Sequence, residues 1–295
     1  MDFALVAFGL GVGILVGMTG IGGGSLMSPM LILVFGVTPV TAIGTDLAYA
    51  AVTKTVGGYK HLTQKTVNIT LSSWMAIGSV PAAVGGVYVL GLLEDWAGRD
   101  FEDIVIAALA GALLLTGAAT LVRSFLKRMH ERERDTIEME RRHKVAAVAL
   151  GASVGFVLGV TSAGSGALIA VGLILLFRLS PQRVVGTDVF HAAILLWAAG
   201  LAHLSAGNVD FGLVGTILLG SVPGVWLGSH WSVRVEPAVL RTTLAVVLLG
   251  AGLALLIKAG LGIPIEVLVP FPLGVVVLLV VTMLRSRKAR AEAGT

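Results

Sequence analysis

Two polar interruptions in an otherwise apolar chain carry the residue types best suited to holding an anion. The first is Gly17-Met18-Thr19-Gly20-Ile21-Gly22-Gly23-Gly24-Ser25, and its twin is Gly159-Val160-Thr161-Ser162-Ala163-Gly164-Ser165-Gly166. Glycine costs up to about 1 kcal/mol per position in a helix, so clustered glycines with Ser and Thr predict a break. The apolar runs that follow, Leu26 to Phe35 and Leu168 to Phe177, are about ten residues long. As helices they reach about 15 Å, half the hydrocarbon core. Each is expected to be a half-helix that starts near the membrane midplane. A helix N-terminus offers unpaired N–H groups and a partial positive charge, which together make an anion site. Thr19, Ser25, Thr161, Ser162 and Ser165 add hydroxyl donors. Gly22, Gly23, Gly24, Gly164 and Gly166 leave room for a ligand's oxygens. The spacings Gly13-xxx-Gly17, Gly20-xxx-Gly24 and Gly155-xxx-Gly159 equally fit close packing of helices.

Asp46 and Asp188 lie early in apolar segments, where an acid costs about 2.5–3.5 kcal/mol on insertion scales and is a functional candidate by default. Each could bind a coupling proton or sodium ion. Each could instead cap its helix, because Gly-Thr-Asp resembles a helix start. His191 follows Asp188 by one turn on the same face. Lys54 follows Asp46 by two turns and could admit anions, or snorkel to an expected cytoplasmic helix end. His61 and His203 are expected in loops just past helices, as C-terminal caps. Pro81 and Pro223 are expected to kink their helices. No cysteine is present, which removes thiolate chemistry, and neither a metal site nor a cofactor is expected.

The elements that must position these residues repeat. An offset of 142 superposes the halves without a gap from Gly13 (on Gly155) to Gly86. Gly44-Thr45-Asp46 falls on Gly186-Thr187-Asp188, His61-Leu62 on His203-Leu204, and Gly78-Ser79-Val80-Pro81 on Gly220-Ser221-Val222-Pro223. Tyr49 stands opposite His191. Hydrophobic residues make up 56% of the chain, charged residues only 13%, and mean hydropathy is +0.94. Such a chain is read as an all-α polytopic membrane protein. Despite a net charge of +4, the basic residues flank apolar segments, the positive-inside pattern, so the expected partner is the lipid bilayer and not nucleic acid. No basic region precedes the stretch that begins at Phe3, which is therefore expected to remain in the mature fold.

Expected segments cover about 3–18, 25–36, 38–57, 69–92 and 104–123, five per repeat, followed by an eleventh at about 265–284. An odd number per copy makes the repeats antiparallel, an arrangement common in secondary transporters. The domains are then residues 1–123, a charged connector at 124–144, a second repeat at 145–264, and a last segment with a basic tail at 265–295. Lys127–Glu131, Arg134–Glu138 and Glu140–Lys144 suit a solvated helix in the connector. Connector and tail are placed in the cytoplasm by charge, and the acidic loop around Glu94, Asp95, Asp100, Glu102 and Asp103 outside.

The glycine-rich break, the Gly44-Thr45-Asp46-Leu47 stretch and the run from His203 to Gly207-Asn208-Val209-Asp210 resemble the TauE/SafE sulfite exporter family of bacterial membrane proteins, also described as toluene-sulfonate-uptake permeases. The resemblance covers about residues 5–95 and 147–258. Many members of that family read Gly-Thr-Ser-Leu where this chain has Gly-Thr-Asp in both repeats. The resemblance implies a bacterial inner-membrane transporter of sulfite, sulfoacetate or a similar sulfur anion, with Asp46, Asp188, His191 and Lys54 as coupling or gating candidates. Nothing resembling an ATPase motif appears, so an ion gradient is the expected energy source. Two other readings are an intramembrane serine hydrolase, built on Gly164-Ser165-Gly166 with His191 and Asp188, and a membrane scaffold without transport.

Overall fold

A computed structural model describes residues 3–19, 24–126, 138–232 and 237–261. The described residues form ten α-helices and no strand: α1 (Phe3–Thr19), α2 (Gly24–Leu33), α3 (Pro39–Thr63), α4 (Ile69–Ala97), α5 (Phe101–Leu126), α6 (Arg141–Thr161), α7 (Ala167–Phe177), α8 (Pro181–Ser205), α9 (Phe211–Ser232) and α10 (Pro237–Lys258). The stretch 69–122 and the helices Arg141–Thr161, Pro181–Ser205 and Phe211–Trp231 are long and apolar enough to cross a membrane. Both half-helices form, with ten residues in α2 and eleven in α7.

The repeats are inverted, and they interlock rather than sit side by side. Gly57 and Gly58 on α3 face Val189 and Phe190 on α8, while Gly200 on α8 faces Leu47 and Ala48 on α3. Residue numbers therefore rise in opposite directions along these two equivalent helices. Gly117 against Leu249 and Gly252 against Leu114 give the same antiparallel register for α5 and α10. Trp197 Nε1 donates to Thr55 Oγ1 at 2.8 Å, a bond between a residue and its own repeat counterpart, which places the pseudo-two-fold axis between α3 and α8. α1 pairs with α9, and α6 with α4, so the first helix of each repeat lies on the fourth of the other.

These two pairings are made by glycine. A Cβ on Gly13 would strike the Ser221 backbone, and a Cβ on its counterpart Gly155 would strike Ser79. The small-xxx-small spacing of α1 and α6 is thus a packing device up to the edge of each break. Gly155→Leu is expected to destabilise the fold by about 1–3 kcal/mol or more through overpacking. Gly11, with nothing near its Cβ position, should accept leucine. Detergent melting curves check this: equal midpoints for the two variants would contradict the contact.

Several local expectations are corrected. Glu94 and Asp95 belong to the last turn of α4, and Glu102 and Asp103 to the first turn of α5, with only a 3-10 turn between. Glu140 pairs with Arg142 (2.8 Å), not Lys144, because Lys144 Nζ lies over the Trp74 ring at 5.1 Å. Lys54 lies well inside α3, which runs on to Thr63. His61 and His203 are in the last turns of α3 and α8, not in loops. The Lys127–Glu131 and Arg134–Glu138 pairs, most of the connector and the segment at 265–284 lie outside the described residues.

Candidate functional site

The second break is a defined backbone structure. Ser162 caps α6 in the left-handed conformation (φ 58°, ψ −8°), and its N–H bonds the Leu158 carbonyl at 2.7 Å. Gly164 follows at φ +101°, a conformation that side chains rarely adopt. Gly166 is the N-cap of α7, and the buried Ser165 precedes it. Thr161 Oγ1 donates to the Val157 carbonyl (2.6 Å) and accepts from the Ala163 N–H (3.3 Å), so it stabilises the helix end. In the first break Thr19 ends α1, Gly24 opens α2 and Ser25 follows in its first turn. Gly22 and Gly23 lie outside the described residues.

The first half-helix and the second break meet through an acid. Asp46 Oδ2 accepts from Ser28 Oγ at 2.7 Å and from Ser162 Oγ at 2.9 Å, and the two hydroxyls are 2.6 Å apart. Ser28 lies in the second turn of α2 and Ser162 in the second break. One carboxyl group on α3 thus joins the first repeat's half-helix to the second repeat's broken helix. Asp46 caps nothing: α3 starts at Pro39, two turns earlier, with Thr38 as N-cap. Asp188 has the same placement in α8, which starts at Pro181, and is buried.

The rest of the Gly-Thr-Asp motif locks the repeats together. Thr187 Oγ1 accepts the N–H of Asn68 (2.9 Å), the N-cap of α4, and Thr45 Oγ1 accepts the N–H of Asp210 (3.2 Å) ahead of α9. Gly44 and Gly186 let the backbones at Asn208 and Thr66 approach. Asn68 and Asp210 in turn cap α4 and α9 through Leu71 and Leu213, each at 3.0 Å.

His191 is fully buried and bridges to α4, with Nε2 3.1 Å from Ser79 Oγ and Nδ1 3.4 Å from Ser72 Oγ. The hydrolase reading would need it on Ser165, so the triad does not assemble. Tyr49, the counterpart of His191, is fully buried, and among the described residues neither its hydroxyl nor that of Ser221, the counterpart of Ser79, has a hydrogen-bond partner. His203 Nε2 lies 2.9 Å from the Gly159 carbonyl, so it caps the broken helix α6 rather than its own helix.

A cavity of about 390 Å³ lies at the other break. Lys54, Ser221, Gly17, Val16, Val189 and Val225 are among its walls. Lys54 is only 6% exposed, so its cation is held inside the protein. The repeat counterparts of these walls are Leu196, Ser79, Gly159, Leu158, Leu47 and Ala83, and all are buried. Ser28, Ser72, Ser79, Tyr49 and Ser221 are site residues that the sequence reading did not single out. Ser79 and Ser221 were detectable as a matched repeat pair, whereas Ser28 stands opposite Ala170 and gives no such signal.

Residues 5–255 match the family model described as Sulfite exporter TauE/SafE. The chain is 40% identical over 256 residues to the probable membrane transporter protein YjnA of Bacillus subtilis, covering 87% of this chain and all of that one. It is 30% identical over 246 residues to YdhB of the same organism, also named a probable membrane transporter (83% and 96% covered). It is 23% identical over 268 residues to the probable membrane transporter MJ0441 of Methanocaldococcus jannaschii (86% and 94%). No solved structure matches.

Proposed function

The chain belongs to the sulfite exporter TauE/SafE family, and from that premise we propose that it is a secondary transporter of a small sulfur anion, working by alternating access. It is not an enzyme. The anion is bound between the two glycine breaks, at the N-termini of α2 and α7, and reaches them through the cavity beside Lys54. The inverted repeats support this reading, because inverted copies that rock against one another are the frame on which alternating access is built.

The observation that carries the reading is the cavity wall. It offers one cation, Lys54, and the hydroxyls of Thr53, Ser221 and Ser229 among five valines. An inorganic oxyanion needs donors all around it, whereas an organosulfonate such as sulfoacetate needs them only at its charged ends, one of which Lys54 meets while the methylene between them lies against the valines. A thermal-shift screen of the purified protein against sulfite, sulfate, thiosulfate, sulfoacetate and taurine tests this. Sulfoacetate is expected to stabilise most, and stabilisation by sulfite alone would reverse the preference. If none of them stabilises the protein or crosses proteoliposomes, a scaffold role replaces transport.

The proposed setting is a bacterial inner membrane with the connector and C-terminus cytoplasmic. The chain has no native cysteine, and Thr63, Asp100, Glu138 and Ser205 are all exposed. Single cysteines at 100 and 205 are expected to react with an impermeant reagent on intact cells, and those at 63 and 138 only after lysis. Strong labelling at 138 from outside would invert the orientation.

A further inference from the structure

The three oxygens around Asp46 contain a hydrogen count. Asp46 Oδ2, Ser28 Oγ and Ser162 Oγ form a closed triangle with sides of 2.7, 2.9 and 2.6 Å. All three sides are hydrogen-bond distances, and each needs one hydrogen between its oxygens. The two serines own one hydrogen each, and a carboxylate only accepts. With Asp46 ionised, one side of the triangle would press lone pairs together. The Ala42 carbonyl, 3.4 Å from Ser28 Oγ, could only draw a hydrogen out of the ring. A metal ion seated among the three would hold them further apart than hydrogen-bond contact. Asp46 Oδ1 is buried and has no partner among the described residues. An unpaired neutral carbonyl costs less there than an unpaired half of a carboxylate.

We propose that Asp46 is a proton-binding site whose proton, on Oδ2, closes a latch between α2, α3 and the second break, and that this proton travels with the anion. The proposal rests on the transport reading above and names its coupling ion. Protonation adds one hydrogen to Oδ2 from the water on one side, and release returns it to the water on the other. Loss of that hydrogen leaves two for three contacts, so the ring opens and Ser162 is freed at the break. An anion arriving at the break with the ring closed meets a neutral acid instead of a carboxylate. Each ligand then favours the other, and linkage makes that preference reciprocal. Proton and anion therefore move in the same direction.

The counterparts of Ser28 and Ser162 are Ala170 and Gly20, so these two hydroxyls have no equivalents at Asp188. The surroundings add little competing charge. On α3 itself stand Tyr49, one turn on, and Lys54, two turns on; α8 brings His203, whose Nε2 is held at the Gly159 carbonyl, and farther along Asp188 and His191, the latter engaged with Ser72 and Ser79. α2 carries no titratable group, α5 none between Asp103 and Arg123, α6 none after Lys144, and α9 none before His230.

Infrared spectroscopy of the full-length protein in proteoliposomes at neutral pH reads the proton directly, as the carbonyl stretch of a buried un-ionised carboxylic acid. The band is expected in the wild type and in Asp188→Asn, absent from Asp46→Asn, and shifted in Ser28→Ala and Ser162→Ala. Absence from the wild type, or persistence in Asp46→Asn, would overturn the proposal. If Asp46→Asn does not fold, the two serine variants decide, and an unshifted band in both counts against it. Flux of sulfoacetate supplies the second arm. With the membrane potential clamped at zero, an inward gradient of about one pH unit supports about tenfold accumulation at one proton per anion. Asp46→Asn should lose that accumulation and keep exchange of sulfoacetate for sulfoacetate. Anion flux indifferent to the gradient sinks the proton coupling and leaves the transport reading standing. The carboxylic acid band without flux of any tested anion does the opposite.

Discussion

Replacing Lys54 by methionine is expected to weaken sulfoacetate binding at least about tenfold, or about 1.4 kcal/mol, with no loss of folded yield. Lys54 is held inside the protein at the wall of the cavity, in the interior of α3. Its counterpart in the second repeat is Leu196, so the inverted fold itself accepts an apolar side chain there. A cation in that position costs insertion energy, which methionine would relieve at similar length. Attraction between unit charges at 4 Å is worth about 4 kcal/mol at an effective dielectric of 20, so a tenfold loss is a modest demand. Calorimetry on the folded variant decides. Wild-type affinity would make Lys54 a structural cation and move the anion's route away from the cavity.

The chemistry of the breaks was more legible in the sequence than the way they are joined. Offset, inverted register and half-helices all follow from patterns that repetition makes visible: glycine clusters, apolar run lengths and basic flanks. Interlocking was not legible, because the glycines of α1 and α6 announce a close partner without naming α9 and α4. The same limit applied to Gly-Thr-Asp. Its threonine looked like part of a local cap, yet Thr45 and Thr187 each accept an N–H at the head of a helix in the other repeat. The histidines show the reverse case. His61 and His203 match in sequence, but among the described residues His203 reaches a broken helix, at Gly159, whereas His61 bonds Thr66. Where the repeats differ in residue type, as at Ser28 and Ala170, Ser162 and Gly20, or Lys54 and Leu196, the asymmetry marks the places where the two halves do different work.

Gly164→Val and Ser165→Val test whether the second break is a binding site or a packing element, and they are expected to fail differently. Gly164 sits at φ +101°, and a Cβ there would lie 2.8 Å from Leu168 Cδ1. Valine at that position would carry backbone strain of about 1–3 kcal/mol and must also move the Leu168 side chain. The expected outcome is loss of transport together with a lower melting temperature. Ser165 has no such backbone demand. Valine there removes one hydroxyl and adds methyl groups beside the N-terminus of α7, where the N–H groups of Gly166 and Ala167 have no intrahelical acceptor. Folding should survive, while sulfoacetate affinity falls about tenfold or more, a charge-assisted hydrogen bond being worth about 1.5–3 kcal/mol. A packing break predicts the opposite pattern for Ser165→Val: a stability cost and an unchanged affinity. Calorimetry beside melting curves separates the two, and wild-type affinity in a folded Ser165→Val protein would return the break to packing and leave the cavity at Lys54 as the anion's place in the protein.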